Sequence, residues 1–258
     1  MALPAVSMKS FIGYIGGKSR QAREIAARLP RSRCYCEVFG GAAWVLFARD
    51  PAPVEVWNDY DGRLVNLFRV VRDRPDELAA ALACMPRSRE LYYRLWREPP
   101  DRDPVRAAAA YYYLVKNAFS GRAGCGFSAS RTWPGRYAMC NDFGAWAARL
   151  NRVTVEGLDF ADCLGRYDGR DTVFYLDPPY AGTEGYYRGF AAEDHERLAK
   201  ALRRTRGRWL LSYKDGAATR RLYHGFRVAR LAAPYSAAKV KEGGRRAPAG
   251  REILISNY

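Results

Sequence analysis

The sequence predicts an α/β fold in which helices cover a mainly parallel β-sheet. Short apolar runs alternate with helical segments over the first 72 residues, and the same alternation returns after residue 150. A stretch of helices without strands lies between these two parts. The 258 residues are enough for one well-buried core with a small inserted second domain.

The first part of the pattern reads strand, helix, strand, helix. An apolar run at 35–39 (YCEVF) ends at a glycine pair, and a second run at 53–57 (PVEVW) ends at Asn58 and Asp59. Helical segments at 42–50 and 62–72 follow the two runs. This order is typical of a mainly parallel sheet covered by helices.

The rest of the chain divides into a helical stretch and a second α/β stretch. We expect helices at 77–85, 90–96 and 105–117, followed by a loop at 120–136 that is rich in glycine, serine and arginine. A loop of this kind inside a compact enzyme is often functional. Further on, we expect strands at 153–156, 172–176 and 209–213, a helix at 193–206, closing strands at 225–230 and 252–257, and an exposed basic hairpin loop at 239–251.

The formal net charge of +16 and the isoelectric point of about 9.8 favour a polyanionic partner, nucleic acid first. A base-composition bias of the source genome would give the same totals, but the placement of the charges favours a binding face. No acidic residue occurs between Pro104 and Asn141 or between Gly216 and Lys241. The basic residues that we expect to contact nucleic acid are Arg122, Arg131, Arg136, Lys239, Lys241, Arg245 and Arg246.

The composition argues against a membrane, secreted or metal-binding protein. No window approaches the roughly 18 to 20 continuous apolar residues of a membrane span. The N-terminal segment lacks the charged and then apolar pattern of a signal peptide, so we expect a cytoplasmic protein. The six cysteines and two histidines show no metal-ligand spacing, and we expect reduced cysteines and no metal.

The sharpest motif is FYLDPPY at 174–180, a buried strand that runs into a carboxylate, two prolines and an aromatic ring. Asp177 and the carbonyl of Pro178 can each accept a hydrogen from a planar NH2 group, and Tyr180 can stack on its ring. Pro178 and Pro179 fix the backbone and donate no N–H. Such acceptors favour a pyramidal nitrogen and stabilise attack by an exocyclic amine. The alternative is a plain strand followed by a proline turn.

A glycine pair near the N-terminus predicts a second contact with a ligand. Gly13 and the sequence Gly17-Lys18-Ser19 are one residue short of the spacing of a P-loop, which argues against an NTPase. The glycines can instead bring the backbone close to a ligand. Lys18 could then meet a carboxylate or phosphate, and Tyr14 could contact a ring.

Three more positions lie at the ends of predicted strands, where ligands bind in open α/β sheets. Phe39, Gly40 and Gly41 form a turn that allows close approach, although a full dinucleotide fingerprint is missing. Asp59 is read either as a ribose-binding acid or as the N-cap of the helix from Gly62. Asp159 is a weaker signal, with a surface loop as the alternative.

Several of these motifs, taken in their order, resemble the Dam-type (D12 class) adenine-N6 DNA methyltransferases. The similarity runs from about Met8 to Tyr258 and includes a variable basic region before GLDF. The motifs that carry it are YIGGK at 14–18, EVFGGAAWV at 37–45, WNDYDGRL at 57–64, GLDF at 157–160, FYLDPPY at 174–180 and the ending EILISNY at 252–258.

The resemblance implies a Rossmann-like AdoMet-dependent methyltransferase sheet with a helical target-recognition insert. The catalytic domain would comprise residues 1–74 and 151–258, and the insert residues 75–150. The cofactor would be S-adenosyl-L-methionine (AdoMet). Matching family positions implies cofactor contacts by Tyr14, Lys18, Phe39, Gly40, Gly41, Asp59, Asp159 and Asp177, and a target-base site made of Asp177, Pro178, Pro179 and Tyr180.

The resemblance further implies an enzyme that extrudes one adenine from double-stranded DNA and methylates its N6 directly. No cysteine is followed by proline, which argues against a C5-cytosine enzyme and its cysteine nucleophile. The loop from Ser120 to Gly124 departs from the pattern by which Dam enzymes read GATC, which argues against that target. A cognate restriction endonuclease and a nucleoid location in a bacterial or phage system fit this class, and no oligomeric state is indicated.

Two alternatives change the substrate or the class of function. An RNA adenine or another amino group, such as a glutamine amide of a protein, also presents an NH2 to a motif of this kind. Those enzymes usually carry Asn before the prolines and lack the N-terminal GGK. A catalytically inactive nucleic-acid-binding module is the other alternative, and Tyr14, Lys18, Asp59 and Asp177 argue against it.

Overall fold

A seven-stranded sheet forms the centre of the protein in the computed structural model, which describes residues 8–13, 16–121, 123–128, 142–180, 190–231 and 252–258. The predicted α/β architecture is confirmed. The strands are β1 (Cys34–Glu37), β2 (Val54–Asn58), β3 (Val153–Glu156), β4 (Thr172–Leu176), β5 (Arg208–Lys214), β6 (Arg227–Leu231) and β7 (Glu252–Ser256).

Ten α-helices and a short 3-10 turn surround this sheet in the described part of the chain. They are α1 (Ala22–Arg28), α2 (Trp44–Ala48), α3 (Gly62–Asp73), α4 (Pro75–Ala83), α5 (Arg89–Arg97), α6 (Pro104–Asn117), the 3-10 turn Phe119–Gly121, α7 (Gly144–Leu150), α8 (Phe160–Tyr167), α9 (Ala192–Arg204) and α10 (Ala217–Leu222). None of the helices in the described ranges is both long and apolar enough to cross a membrane.

Four helices, α1, α7, α8 and α10, were not predicted from the sequence. Each has only six to eight residues, so that two turns at most carry the apolar periodicity on which the prediction depends. The predicted hairpin loop at 239–251 lies outside the described residues.

The order of strands in the sheet is β3-β2-β1-β4-β5-β7-β6. Strands β1 to β5 pair in parallel, and β7 pairs antiparallel to both β5 and β6. From β1 the chain proceeds to β2 and β3 on one side, whereas β4 and β5 extend the sheet on the other side. The order therefore reverses between β1 and β4, and a crevice at such a switch point is where ligands bind in open α/β sheets.

The sheet has a hydrophobic cluster on each face, as a doubly covered parallel sheet requires. Tyr35 and Tyr175 face the cluster formed with α1, α2, α3 and α6, whereas Cys36 and Phe174 face the cluster formed with α8 and α9. Alternate residues of β1 and β4 thus point to opposite faces. β4 is buried throughout and β1 is buried apart from its first residue, Cys34, so the two strands hold the switch point rigidly.

The helices α4, α5 and α6 extend the core on the α3 side of the sheet. Helix α6 packs against α3, α4 and α5, and its residue Tyr112 belongs to the main cluster. A smaller cluster joins Tyr92 of α5 to Tyr113 and Leu114 of α6. The described part of the expected insert is therefore helical, while its assignment to a separate domain at 75–150 stays a prediction.

Candidate active site

The carboxyl ends of β1, β2, β3 and β4 bring together most of the residues that the sequence singled out. Asp177 follows β4, the turn with Gly40 and Gly41 follows β1, Asp59 follows β2, and Asp159 follows β3. Four sequence motifs that lie far apart in the chain thus meet at one edge of the sheet. Tyr14 lies outside the described residues.

Asp177 is the centre of a hydrogen-bond network. Lys18 Nζ lies 2.8 Å from both carboxylate oxygens of Asp177. The hydroxyl of Tyr180 donates to Oδ1 over 3.2 Å, and the hydroxyl of Ser212 donates to Oδ1 over 2.8 Å. The N-terminal GGK motif and FYLDPPY therefore form a single site, although 159 positions separate Lys18 and Asp177 in the sequence.

The ion pair between Lys18 and Asp177 is largely shielded from solvent. The side chains are 5% and 17% exposed, respectively. Lys18 Nζ also donates to the carbonyl of Gly16 over 3.3 Å and lies 5.0 Å from the ring centre of Tyr180. The ammonium of Lys18 is thus held by a carboxylate, a carbonyl and a ring face.

The two prolines and Tyr180 complete the end of β4. Pro178 is buried, all described peptide bonds are trans, and neither proline carries an N–H that could compete with an incoming amine for the nearby acceptors. Burial, followed by the nearby charge of Asp177, raises the pKa of Tyr180 far above its usual value. Tyr180 therefore keeps its proton and remains a donor to Asp177, with its ring 5.6 Å from that of Tyr213.

The turn after β1 is held tightly against β2. The N–H of Gly40 donates to the carbonyl of Asn58 over 2.7 Å, and the N–H of Gly41 donates to Oδ2 of Asp59 over 2.9 Å. A Cβ at Gly40 would lie only 2.1 Å from Nε1 of the buried Trp57, so this position admits no side chain. Gly41 has a φ of 48°, which glycine adopts without strain.

Asp59 supports this turn and does not cap the following helix. Asp61 is the N-cap of α3 and accepts from the N–H of Arg63, whereas Asp59 accepts from the N–H groups of Gly41 and Asp61. The alternative reading of Asp59 as that N-cap is therefore wrong. Burial raises the pKa of Asp59 to about 6, although its hydrogen bonds oppose the shift.

A fully buried carboxyl group, Glu37, lies at the end of β1 and was not predicted as a site residue from the sequence. Its Oε2 accepts from the Tyr35 hydroxyl over 3.1 Å and from the N–H of Leu46 over 2.8 Å. Helix α2 has no side-chain cap of its own, so Glu37 supplies an acceptor to its first turn. Burial raises the pKa of Glu37 to about 8. An acid inside the apolar run YCEVF was the signal that could have found it.

Asp159 has two structural roles, which the alternative of an acid in a plain surface loop did not predict. It is the N-cap of α8, accepting from the N–H of Ala161 over 2.8 Å, and it forms an ion pair with Arg197 of α9. Burial raises the pKa of Asp159, but the hydrogen bonds from Arg197 and Ala161 outweigh this effect and hold it below the usual value. The guanidinium of Arg197 also lies 4.3 Å from the ring centre of Phe160.

An aromatic cluster lies beside Asp159. The rings of Phe39 and Phe160 stack with centroids 5.7 Å apart, and Phe190 contacts both at 5.8 Å. Phe39 thus connects the glycine turn after β1 to the start of α8. The arrangement places apolar ring surface and a carboxylate side by side, which suits a planar heterocycle with an amino group.

Asn58 joins three strand ends and was also missed in the sequence. Its side-chain amide donates to the carbonyls of Val38 and Leu158 and accepts from the N–H of Leu158. Ser212, in the middle of β5, is likewise a site residue without a sequence motif of its own. Only the spatial arrangement of the strands reveals these two residues, because a single polar residue in a strand carries no periodic signal.

The basic residues expected to contact nucleic acid, from Arg122 to Arg246, all lie outside the described residues. The flanks of the loop that carries Arg122 are described and form a hairpin. Ala118 and Phe127 pair antiparallel, and the N–H of Phe119 donates to the carbonyl of Gly126 over 2.9 Å. We call residues 118–127 the 118–127 hairpin.

The surface of the 118–127 hairpin is aromatic and basic. Phe119 is 63% exposed, the highest value among the exposed large hydrophobic residues of the described ranges. Arg87 and Arg89 lie 5.4 Å and 5.2 Å from the ring centre of Phe127, and Lys116 is exposed on the last turn of α6. Positive charge interleaved with an exposed ring is typical of nucleic-acid-binding surfaces.

Comparisons with known proteins identify the family. A family profile described as D12 class N6 adenine-specific DNA methyltransferase matches residues 14–237. The chain is 23% identical to the Type II methyltransferase M1.LlaDCHI of Lactococcus lactis subsp. cremoris, with 98% of this chain and 96% of that protein aligned.

Two further relatives agree with this result. The Type II methyltransferase M.CviBI of Paramecium bursaria Chlorella virus NC1A is 25% identical, covering 85% of this chain and 88% of the relative. The DNA adenine methylase of Haemophilus influenzae is 24% identical, covering 88% and 87%. The family profile specifies DNA, which removes the support for an RNA or a glutamine substrate. The chain belongs to the D12 class N6 adenine-specific DNA methyltransferases and is an AdoMet-dependent enzyme that methylates adenine in DNA.

Proposed function

We propose that the Asp177–Tyr180 segment grips the target adenine and that the neighbouring strand ends hold AdoMet. The observation that carries this proposal is the position of Asp177 at the switch point of the sheet, in contact with Lys18, Tyr180 and Ser212. One oxygen of Asp177 and the carbonyl of Pro178 would accept the two hydrogens of the N6 amine. Tyr180 would stack on the base.

The residues around the glycine turn fit AdoMet. The residue set consists of a lysine for the cofactor carboxylate (Lys18), a half-buried acid for the ribose hydroxyls (Asp59) and a second acid beside ring surface for the adenine (Asp159). A side chain at position 40 would collide with Trp57, so only glycine keeps the backbone of this turn against β2, where AdoMet would approach it. Phe39 and Tyr14 would add ring contacts.

AdoMet supplies an electrophilic methyl group on a sulfonium when it is bound. The protein contributes by orienting the nucleophile and by holding its charge. Two acceptors on the N6 amine draw its hydrogens out of the ring plane and favour attack by the nitrogen lone pair. After transfer, the surplus proton of N6 leaves to solvent or by way of Asp177. No covalent enzyme intermediate is needed in this scheme.

The substrate would be double-stranded DNA with one adenine rotated out of the helix. A base inside a duplex cannot reach Asp177 at the end of a buried strand, so the base must be extruded, at a cost of a few kcal/mol. The exposed ring of Phe119 and the charges of Arg87, Arg89 and Lys116 support a DNA-facing 118–127 hairpin. Arg122, Arg131, Arg136, Lys239, Lys241, Arg245 and Arg246 would extend this surface, mostly towards phosphates.

The biological setting follows from the relatives as a proposal. Two of them carry names of type II methyltransferases, which supports a partner restriction endonuclease for this chain. An enzyme that acts on DNA would be located with the nucleoid or a viral genome. The helical segment 75–150, with its 118–127 hairpin, would then select the sequence that is methylated.

The test is methyl transfer from labelled AdoMet to DNA by the Asp177→Ala variant. We expect the rate to fall by at least about 100-fold, because the variant loses an electrostatic contact to the reacting amine. DNA binding, measured separately, should persist, because the basic surfaces lie elsewhere.

Asp171→Ala is the matched control. Asp171 immediately precedes β4, whereas Asp177 immediately follows it, and the Asp171 side chain is exposed. This variant should methylate DNA at the rate of the unmodified protein. Full activity in Asp177→Ala would show that another group orients the amine.

A further inference from the structure

Ser212 is a fully buried hydroxyl group that the mechanism above does not use. It lies in β5, with 0% of its surface exposed, next to the end of β4. Its hydroxyl donates to Oδ1 of Asp177 over 2.8 Å and lies 3.3 Å from the carbonyl of Leu176. A buried hydroxyl with such contacts restricts the orientation of the carboxylate that it touches.

Tyr175 in turn holds the hydroxyl of Ser212. The two oxygens are 3.0 Å apart, and Tyr175 is buried with 2% exposure. Burial raises the pKa of Tyr175 well above its usual value, and the charge of Asp177 adds to this effect, so the phenol keeps its proton. Because the Asp177 carboxylate can only accept, the single proton of Ser212 is assigned to that contact, and Tyr175 donates to Ser212.

The two oxygens of Asp177 consequently have different surroundings. Oδ1 accepts from the hydroxyls of Ser212 and Tyr180, which matches the roughly two lone-pair sites of a carboxylate oxygen. Oδ2 is contacted by Lys18, a long side chain whose ammonium is shared with Oδ1 and with the carbonyl of Gly16. Both hydroxyl donors thus contact Oδ1, whereas the donor at Oδ2 is the shared ammonium of Lys18.

We propose that Ser212, held by Tyr175, is a positioning residue that fixes Asp177 so that Oδ2 accepts the N6 hydrogen of the target adenine. This inference rests on the proposed role of Asp177 as the amine acceptor. Ser212 acts on the rate through Asp177 and touches neither the base nor the cofactor. Tyr175 acts through Ser212 alone.

The experiment compares Ser212→Ala, Tyr175→Phe and the double variant in steady-state methyl transfer to DNA. We expect kcat to fall about 10- to 100-fold in Ser212→Ala, because a small displacement of an orienting group is costly. KM for DNA and Kd for AdoMet should stay within about 3-fold, since binding groups are unchanged. Tyr175→Phe should lower kcat by a smaller factor, about 3- to 10-fold.

The double variant distinguishes positioning from a general loss of packing. If Tyr175 acts only through Ser212, the double variant has the kcat of Ser212→Ala, and the two effects are not additive. Thr172→Val is the matched control, because Thr172 is also a buried hydroxyl residue but begins β4, at the end opposite Asp177, and donates to the carbonyl of Tyr167. It should keep the kcat of the unmodified protein.

Equal kcat values for Ser212→Ala and Thr172→Val would overturn the inference, as would additive effects in the double variant. If Ser212→Ala fails to fold, the kcat of Ser212→Cys tests the positioning role instead. The thiol keeps the shape with a weaker donor, so an intermediate kcat supports the inference and an unchanged kcat overturns it. An unmodified protein without any methyl transfer would contradict the proposed function instead.

Discussion

We call Asp177 and its partners Lys18, Tyr180 and Ser212 the clamp. The fold holds the clamp and the 118–127 hairpin in different ways. Asp177 follows a strand that is buried over its whole length, and its partners Lys18 and Ser212 are themselves 5% and 0% exposed. Phe119 of the hairpin is 63% exposed, and the neighbouring Arg87 and Arg89 lie on the surface. The proposed acceptor of the amine is thus fixed by the core, whereas the side chains proposed to face DNA lie on the surface.

Under the proposed roles, this contrast separates the residues that set the rate of methyl transfer from those that contact DNA. A clamp within a hydrogen-bond network tolerates little displacement, because small shifts of reacting groups cost much of the rate. A surface hairpin tolerates substitutions without loss of the core. We therefore expect variants at the clamp to change the rate of transfer and variants at the hairpin to change the use of DNA.

The largest effect that separates the two regions is expected at Phe119. Phe119→Ala should lower kcat/KM for DNA about 10- to 100-fold, because stacking of a base on an aromatic ring contributes about 1–3 kcal/mol. The Kd for AdoMet should be unchanged, because the hairpin is not part of the proposed cofactor site. Methyl transfer at varied DNA concentration and equilibrium binding of AdoMet measure the two quantities.

Val54→Ala is the control for Phe119→Ala. Val54 is also an exposed apolar residue, with 42% exposure, but it begins β2 at the edge of the sheet opposite the clamp. Its substitution should change neither kcat/KM for DNA nor the Kd for AdoMet. A Phe119→Ala variant that weakens AdoMet binding as much as it weakens the use of DNA would abolish the distinction between the two regions.

A smaller effect on stability is expected from Glu37 behind the clamp. The pKa of this carboxyl is about 8 in the folded protein and close to the ordinary 4.5 when the chain is unfolded. Between these values the folded state binds more protons, so stability declines as the pH rises, by at most about 1.4 kcal/mol per pH unit for one group. The contribution is fully present below pH 4.5 and is lost as the pH passes through 8.

Glu37→Gln should remove this contribution to the pH dependence. The variant keeps an acceptor for the N–H of Leu46 but does not ionise. Urea unfolding at several pH values should therefore show a shallower decline in the variant than in the unmodified protein. Glu24→Gln, an exposed residue paired with Arg28, is the control and should leave the decline unchanged. Parallel pH profiles for Glu37→Gln and the unmodified protein would refute the role assigned to burial.

The parts of the fold that could be predicted are those with long or strongly apolar patterns. Strands β3 and β4 were predicted with the bounds that the structure has, because β3 alternates apolar and polar residues and β4 is mostly apolar, each between turn residues. The helices α3 and α6 carry several buried residues over 12 and 14 positions. Helices α1 and α7, with seven residues each, carry too few to show a period.

The site could be predicted where one motif contains the chemistry. Asp177, Pro178 and Tyr180 are adjacent in the sequence, and their strand-end position was visible from the apolar run before them. Ser212 and Asn58 could not be found in this way, because their roles depend on which strands are neighbours in space. The pairing of β4 with β5 brings Ser212 to Asp177, and no local pattern encodes that pairing.

The central claim is that the carboxylate after β4 directs methyl transfer to the amino group of adenine in DNA. The most direct measurement is sequencing of modified bases in DNA from cells that express the unmodified chain or Asp177→Ala. We predict N6-methyladenine within one recurring sequence context for the unmodified chain and none for the variant. Methylated cytosine, or adenine methylation that persists in Asp177→Ala, would contradict the account.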